Sequence, residues 1–476
     1  MVSTGSTGGV TIEETPIPGL LVVRLDRRTD DRGWFAESWQ REKMTALGLP
    51  DFGPVQANVA WNARRGTTRG LHAEPWDKLV TVVSGSAYGA WVDLRAGDTF
   101  GTTYAVALEP GLAVFVPRGV GNGYQTTADA TAYSYLVNDH WRADAHYVAV
   151  DHADPSLAIA WPIPPAERIV SERDRTAPPL ADVNPVPVRT PLVIGADGQI
   201  GRALVSTFPG ARGITRAELD LTDVAALERW PWREHDVVIN AAAYTAVDAA
   251  ETSDGRRSAW RVNAHGPAAL ARLATRHGFI LVHFSTDYVY DGTLVEHVED
   301  EPLSPLGVYG QSKAAGDIAV ATTPRHYVLR TSWVVGDGAN FVRTMARLAD
   351  EGAKPEVVDD QVGRLGFADE VARAARHLLD RRAPYGTYHV TNAGVPTSWA
   401  DVARAVFELR GRDPADVRPV STQEYAAGRA AAPRPASSVL SLAKLEATGF
   451  EPEDQLRALR VYCAAESRRA GSSRSG

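Results

Sequence analysis

A proline-rich stretch at residues 172–191, ERDRTAPPLADVNPVPVRTP, separates two halves whose patterns cannot belong to one fold. Before it, short apolar or alternating runs such as GLLVVRL, DKLVTVV, AYGAWVDLR and TAYSYLVND recur, with turn residues between them. Helical periodicity is almost absent there, so many short antiparallel strands are expected, in a sandwich, jelly roll or barrel. After it, strand-like runs (PLVIGA, HDVVINAAA, FILVHFSTD, HYVLRTSW) alternate with helical segments such as SAWRVNAHGPAALARLATRHG. That alternation predicts a parallel sheet with helices on both faces. The boundaries that follow are a tail at 1–11, an all-β domain at 12–175, a stiff linker at 176–190, an α/β domain at 191–465 and a tail at 466–476.

Composition narrows the function classes. A net charge of −8 and the lack of a basic run argue against nucleic-acid binding. No apolar run approaches the roughly 20 residues that span a bilayer, and MVSTGSTGGV lacks the form of a signal peptide, so no membrane role is expected. The single cysteine, Cys463, cannot form an intrachain disulfide, which fits the cytoplasm. Of 50 basic residues only five are lysine, yet two of these stand in motifs. Lysine is a compact charge whose pKa moves on burial, unlike that of arginine. Its retention at Lys78 and Lys313 suggests sites that need an ammonium.

In the second half, GADGQIG follows a strand, with Gly195, Gly198 and Gly201 in a GxxGxxG pattern. Small residues there let the backbone approach a pyrophosphate at a helix N-terminus. The next strand ends near Arg216 rather than at an acidic residue, which leans towards a 2′-phosphate and NADPH, with NADH left open. In YGQSK, Tyr309 and Lys313 are four apart and share a helix face. A nearby ammonium is expected to lower the tyrosine pKa and suit it to protonating an alkoxide. Thr286 ends a strand, where open α/β sheets bind ligands.

Together with INAAAYTAVDAAE, RVNAHG, FSTDYVYDG, RTSWVVGDGANFV and DDQVGR, these segments resemble the extended short-chain dehydrogenase/reductases, and among them the dTDP-4-dehydrorhamnose reductases. The resemblance implies a Rossmann-type doubly wound domain with a smaller substrate-binding lobe. It implies Thr286, Tyr309 and Lys313 as the catalytic set. It puts Gly195, Asp197, Gly198, Gln199, Ile200, Gly201, Ala241, Ala242 and Tyr244 along the cofactor, with Asn263 in support. Val247, Asp248 and Trp333 fall near the sugar nucleotide. The chain departs from the family in GRLGF after DDQV and in Asp317, where a glutamate is usual.

In the first half, RGLHAEPWDK is joined by DRGWFAESW, QANVAWN, VDLRAGDTFG, VPRGVGNGY, AYSYLVND, ADPSLAIAWP and SERD. In this order they resemble the dTDP-4-dehydrorhamnose 3,5-epimerases, which implies a cupin-like jelly roll. Epimerising carbons beside a ketone requires a base on one face and an acid on the other. His72 is the natural base, and Lys78 can stabilise the enolate. The resemblance gives Asp174 the role of orienting the imidazole. Tyr135 is the candidate acid, with Tyr133, two residues away on the same strand face, left open. Arg32, Glu37, Gln56, Asn58 and Arg69 are carried over as nucleotide or diphosphate contacts. Asn122, at a position where many relatives have histidine, is another substrate contact. A metal cupin would need clustered ligands, and no HxH lies near His72, so no metal is expected.

The two resemblances name consecutive steps. The expectation is a bifunctional enzyme that uses NADPH or NADH, acts on a dTDP-sugar and forms a homodimer. A related epimerase–ketoreductase giving another stereoisomer, and a non-catalytic sugar-nucleotide sensor, are the alternatives.

Overall fold

The structure is a computed structural model that describes residues 9–143, 147–428 and 430–472. Of the expected tails, residues 1–8 and 473–476 lie outside the described residues. The tail expected from residue 466 is helical as far as Ser472, at the end of the helix Gln455–Ser472. The chain divides into two compact units, Met1–Val188 and Arg189–Gly476.

The first unit contains two six-stranded sheets. In one, the strand Lys78–Ser84 lies antiparallel between Leu112–Val116 and Thr131–Val137, and Gln56–Asn62 forms the edge. In the other, Thr67–Ala73 pairs antiparallel with Val120–Thr126 and Val148–Ala149 and parallel with Ile169–Val170. Val80, Val114 and Tyr133 of the first sheet pack against Trp91, Leu108 and Tyr124 of the second. The edge strand Gln56–Asn62 reverses the usual alternation. Gln56, Asn58, Ala60 and Asn62 face inward, while Val59 and Trp61 are exposed. Side chains alternate faces along a strand, so this inner face carries three polar groups, and Ala60 is the one residue of the four that lines the cleft described below.

The proline-rich segment expected as a stiff linker at 176–190 packs on the first unit as far as Val186. The backbone of Val186 exchanges hydrogen bonds with Leu94 and Ala96, and Leu180 N–H donates to Asp154. Val183 and Val186 are buried beside Leu94, with Leu180 packed against them. Leu180, Val183 and Val186 stand three apart, and the first turn of the segment, Leu180–Asp182, is a 3-10 helix with three residues per turn, so Leu180 and Val183 fall on one side. That side has docked. Val186→Asp is therefore expected to lower the stability of the N-terminal unit by roughly 3 kcal/mol, by placing a charge in an apolar seat. A lower melting temperature for that unit's transition would show it.

The second unit is built on six parallel strands, in the order Arg212–Ile214, Leu192–Ile194, Val237–Asn240, Ile280–Thr286, His326–Thr331, Gly386–His389. Apolar cores cover both faces. Leu204 and Val371, from helices Gln199–Thr207 and Ala368–Asp380, pack on one side, and Leu270 and Leu273, from Gly266–His277, on the other. A separate apolar core gathers Val342, Val402, Val406 and Leu459 and also holds Cys463. No helix among the described residues is long and apolar enough to cross a membrane.

Two candidate active sites

Each unit has its own cleft. The first, about 520 Å³, opens between the two sheets, and His72, Lys78, Tyr135, Asp174, Asn122 and Arg69 line it together. His72 Nε2 lies 2.7 Å from Asp174 Oδ1, and the other carboxylate oxygen accepts the Gly70 N–H. Burial pushes the Asp174 carboxyl upward, but the His72 ring and the Gly70 N–H outweigh it and hold it below the usual carboxylate range. The carboxylate is thus charged and aimed at the imidazole, which lets it orient the ring and stabilise an imidazolium.

Lys78 is buried, with its ammonium 2.5 Å from Glu74 and 5.9 Å from the centre of the Tyr135 ring. Glu74 also accepts from Trp76 Nε1 at 2.9 Å. Sequence reasoning passed over Glu74, although its place two residues after His72 is a signal for the same face. The two tyrosines differ sharply. Tyr133 is fully buried, stacked on Tyr124 at 4.0 Å, and donates to Asn122 Oδ1 at 3.0 Å. Tyr135 is only half-buried, and burial together with the Glu74 charge raises its pKa, so its phenol keeps its proton. Asn122 Oδ1 also accepts from Trp91 Nε1 at 2.9 Å, so its oxygen is committed inward and its amide nitrogen remains for the cleft.

Gln56 and Asn58 lie on the inward face of the edge strand and are hydrogen-bonded to each other at 3.0 Å. Arg69 Nε donates to Asn62. Arg32, Glu37, Gln56 and Asn58 are not among the residues that line this cleft. Arg32 is exposed and paired with Asp30, and Glu37 is paired with Lys43.

The second cleft, about 550 Å³, lies at the carboxyl ends of the parallel strands. The glycine-rich turn is sterically required. Gly195 has φ +80°, and a Cβ there would come within 2.7 Å of Ala242 N. At Gly201 a Cβ would sit 2.0 Å from Gly195 O. The helix Gln199–Thr207 starts at Gly198 with no side-chain cap, so its first N–H groups are left for an anion. Asp197, Ile200 and Ala241 complete that end of the cleft. Gln199 instead ties the turn to the loop 336–339, accepting from Gly336 N and donating to Ala339 O. This architecture fits a dinucleotide. Arg216 is exposed and paired with Asp220 at 3.0 Å.

Thr286, Tyr309, Lys313, Val247 and Trp333 line the same cleft. Asn263 lies beneath it, holding Tyr244 through both backbone groups and Ser312 through its amide. Thr286 donates to Asp287 Oδ1 at 2.9 Å and accepts from Tyr288 N. The expectation that Lys313 lowers the Tyr309 pKa is overturned: burial, reinforced by the Asp287 charge, pushes the phenol up. Lys313 turns its ammonium to Phe284 O at 2.5 Å. A phenol that keeps its proton still suits the role of acid.

Asp248, next to Val247 in the chain but not itself lining the cleft, pairs with Arg434 at 2.9 Å. Trp333 stacks on Trp399 at 3.7 Å, and its φ of +44° is a conformation that side chains rarely adopt. Arg434 and Trp399 escaped the sequence reading. Their partners are distant in the chain, and no local pattern marks them.

Burial pushes the Asp287 carboxyl up to about 6. Its folded pKa exceeds the ordinary value near 3.9, so keeping it charged costs nothing below about pH 4, a growing amount through about pH 6, and the full amount above. Asp287→Asn is expected to stabilise the C-terminal unit by roughly 3 kcal/mol at about pH 8 and hardly at all at about pH 4. Thermal unfolding at the two pH values checks this.

The two clefts fit two enzyme classes in one chain, an isomerase at the aspartate-held histidine and a dinucleotide-dependent reductase beside Thr286, Tyr309 and Lys313, and the family matches bear both classes out. The model for "dTDP-4-dehydrorhamnose 3,5-epimerase" matches residues 14–182, and that for "RmlD substrate binding domain" matches 189–467. The first half is 48% identical over 177 residues to a protein called an RmlC homolog from Streptococcus pyogenes, covering 36% of this chain and 89% of the relative. The second is 42% identical over 275 residues to a dTDP-4-dehydrorhamnose reductase from Mycobacterium tuberculosis, covering 55% of this chain and 88% of the relative. A solved dTDP-4-dehydrorhamnose reductase from Bacillus anthracis, in complex with NADP, matches with a TM-score of 0.54 at 32% identity, covering 59% of this chain and 99% of that one. The chain belongs to both families, the epimerase family through its first half and the RmlD reductase family through its second.

Proposed function

We propose that the chain converts dTDP-4-dehydro-6-deoxy-D-glucose to dTDP-L-rhamnose in two steps. The observation that carries this is the His72–Asp174 pair at 2.7 Å, facing the same cleft as Lys78 and Tyr135. In the N-terminal unit, which we read as a cupin-like jelly roll, His72 removes the proton beside the C4 ketone. Lys78 stabilises the enolate oxygen, and Tyr135 returns a proton on the opposite face. Tyr135 is preferred to Tyr133, whose hydroxyl is committed to Asn122. Repetition at the second flanking carbon completes the 3,5-epimerisation.

In the C-terminal unit, read as a Rossmann-type domain with a substrate lobe, NADPH or NADH would be held by the glycine-rich turn and the start of the helix after it. When bound, it supplies a hydride to C4. Tyr309 gives its proton to the resulting alkoxide, and Thr286 and Lys313 fix the geometry. Arg216 is the candidate for a 2′-phosphate, and Asp248 and Trp333 for the sugar nucleotide.

A second copy is the proposed partner. Arg32 and Glu37 cannot serve their own chain's cleft as placed, and the neighbouring hairpin exposes Trp34 and Phe35. The lone cysteine suits a cytoplasmic setting. Incubation with the substrate and NADPH in deuterated water tests the whole reading. Deuterium at C3 and C5 with the L-rhamno product supports it. No exchange and no NADPH oxidation would overturn it.

A further inference from the structure

His283 has no part in the steps above, yet it is fully buried beneath the reductase cleft, between two polar neighbours. Its strand, Ile280–Thr286, pairs with Val237–Asn240, and His283 is register partner to Asn240. Its Nδ1 lies 3.0 Å from Asn240 Nδ2, and its Nε2 lies 3.4 Å from Lys313 Nζ. The helix carrying Lys313 comes this close because residue 316 is glycine. A Cβ there would sit 3.5 Å from His283 Nε2 and 2.2 Å from Asn263 O.

Hydrogen-bond bookkeeping determines the ring's proton. Asn240 Oδ1 accepts the Ala242 N–H at 3.2 Å, and a backbone N–H can only donate. The carboxamide is therefore oriented with its oxygen towards Ala242 and its NH2 towards the histidine. An NH2 group also only donates, so His283 Nδ1 must accept. A neutral imidazole with Nδ1 as acceptor carries its hydrogen on Nε2. That hydrogen points at Lys313. An ammonium is donor-only as well, so the charged lysine meets a second donor, whereas a neutral amine has a lone pair to offer it.

We propose that His283, locked in its Nε2–H tautomer by Asn240, is a positioning residue that denies Lys313 an acceptor on this side and so keeps the lysine ready to release a proton. The surrounding charges are consistent with this balance. Asp317, one turn further along the same helix, favours the ammonium, but it is shared with Arg330 of the adjacent strand at 3.0 Å. Tyr309, on the same helix, and the buried Asp287 and Tyr288 are further titratable groups lining the cleft. Burial brings Lys313 down to about 8, and both burial and the lysine's charge keep His283 neutral. A lysine in this state can return a proton to the Tyr309 phenolate once the phenol has protonated the alkoxide. It then becomes a neutral amine and takes a proton from water.

The inference draws its consequence from the reductase reading, but its test does not need turnover. With five lysines, a protein labelled at lysine 13Cε gives a spectrum simple enough to follow each one, and Lys313→Arg identifies the resonance. Ring 15N shifts report the tautomer of His283, with His283→Gln as the assignment variant. The expected result in the full-length protein is a neutral Nε2–H ring through about pH 6–9, with Lys313 titrating inside that range. Asn240→Asp supplies only acceptors, so the ring should switch to Nδ1–H and the Lys313 midpoint should rise by at least about one pH unit. The pH profile of ketone reduction should move with it. The added carboxylate would raise the lysine by charge alone, so the tautomer switch must accompany the shift. A wild-type ring found as Nδ1–H or charged would overturn the proposal, even if Asn240→Asp fails to fold. Loss of reduction with the ring and lysine behaving as stated would instead count against the reductase reading.

Discussion

His72→Ala is expected to cut deuterium incorporation at C3 and C5 by roughly 10³-fold or more, the scale of a lost general base. Asp174 is a poor substitute, because it is buried behind the ring position, keeps one oxygen on the Gly70 N–H, and a carboxylate is a weaker base than an imidazole. Lys78 is committed to Glu74. Reduction of substrate that has already been epimerised should continue at its normal rate, since the second cleft has its own acid and cofactor cradle. NMR of the isotope pattern, alongside NADPH consumption on both substrates, separates the two activities. Retained exchange in this variant would remove His72 from the mechanism and point to Glu74 as the base.

Tyr309→Phe should have the converse effect. Exchange at both carbons persists, while NADPH oxidation falls by about 10³-fold, because the proton for the new alkoxide is gone. The phenol lies edge-on to Tyr288 at 5.8 Å, and its ring is kept in the variant, so packing and fold should survive. Cofactor affinity should change little, which fluorescence titration with NADPH can check. A variant that reduces the ketone normally would shift the acid role to Thr286 or Asp287, whose side chains are already hydrogen-bonded to each other.

What was legible in the sequence follows from how local each constraint is. The glycine turn could be read because Gly195 and Gly201 answer to atoms a few residues away or on the next strand. The alternation of strand and helix after residue 191 likewise foretold a parallel sheet. The tyrosine pair could not be resolved. Residues two apart share a face and both line the cleft; only the third dimension shows that Tyr133 is fully buried, stacked on Tyr124 and bonded to Asn122, whereas Tyr135 is half-buried. Proline content suggested a stiff linker at 176–190 but not its docking, because stiffness is local whereas docking depends on a surface contributed by Leu94 and Val150. Arg434 was invisible for the same reason, lying 186 positions from the Asp248 it holds. The expected effect of Lys313 on Tyr309 failed because spacing along a helix conveys proximity but not burial.

The docked proline segment has a practical consequence for dividing the two activities between separate genes. A stop codon after Thr176 would look natural from the text, yet it would strip the epimerase half of the strap that closes over Leu94. The chain becomes divisible only beyond Val186, and the first strand of the next unit begins at Leu192. The covalent joint is therefore a few residues long.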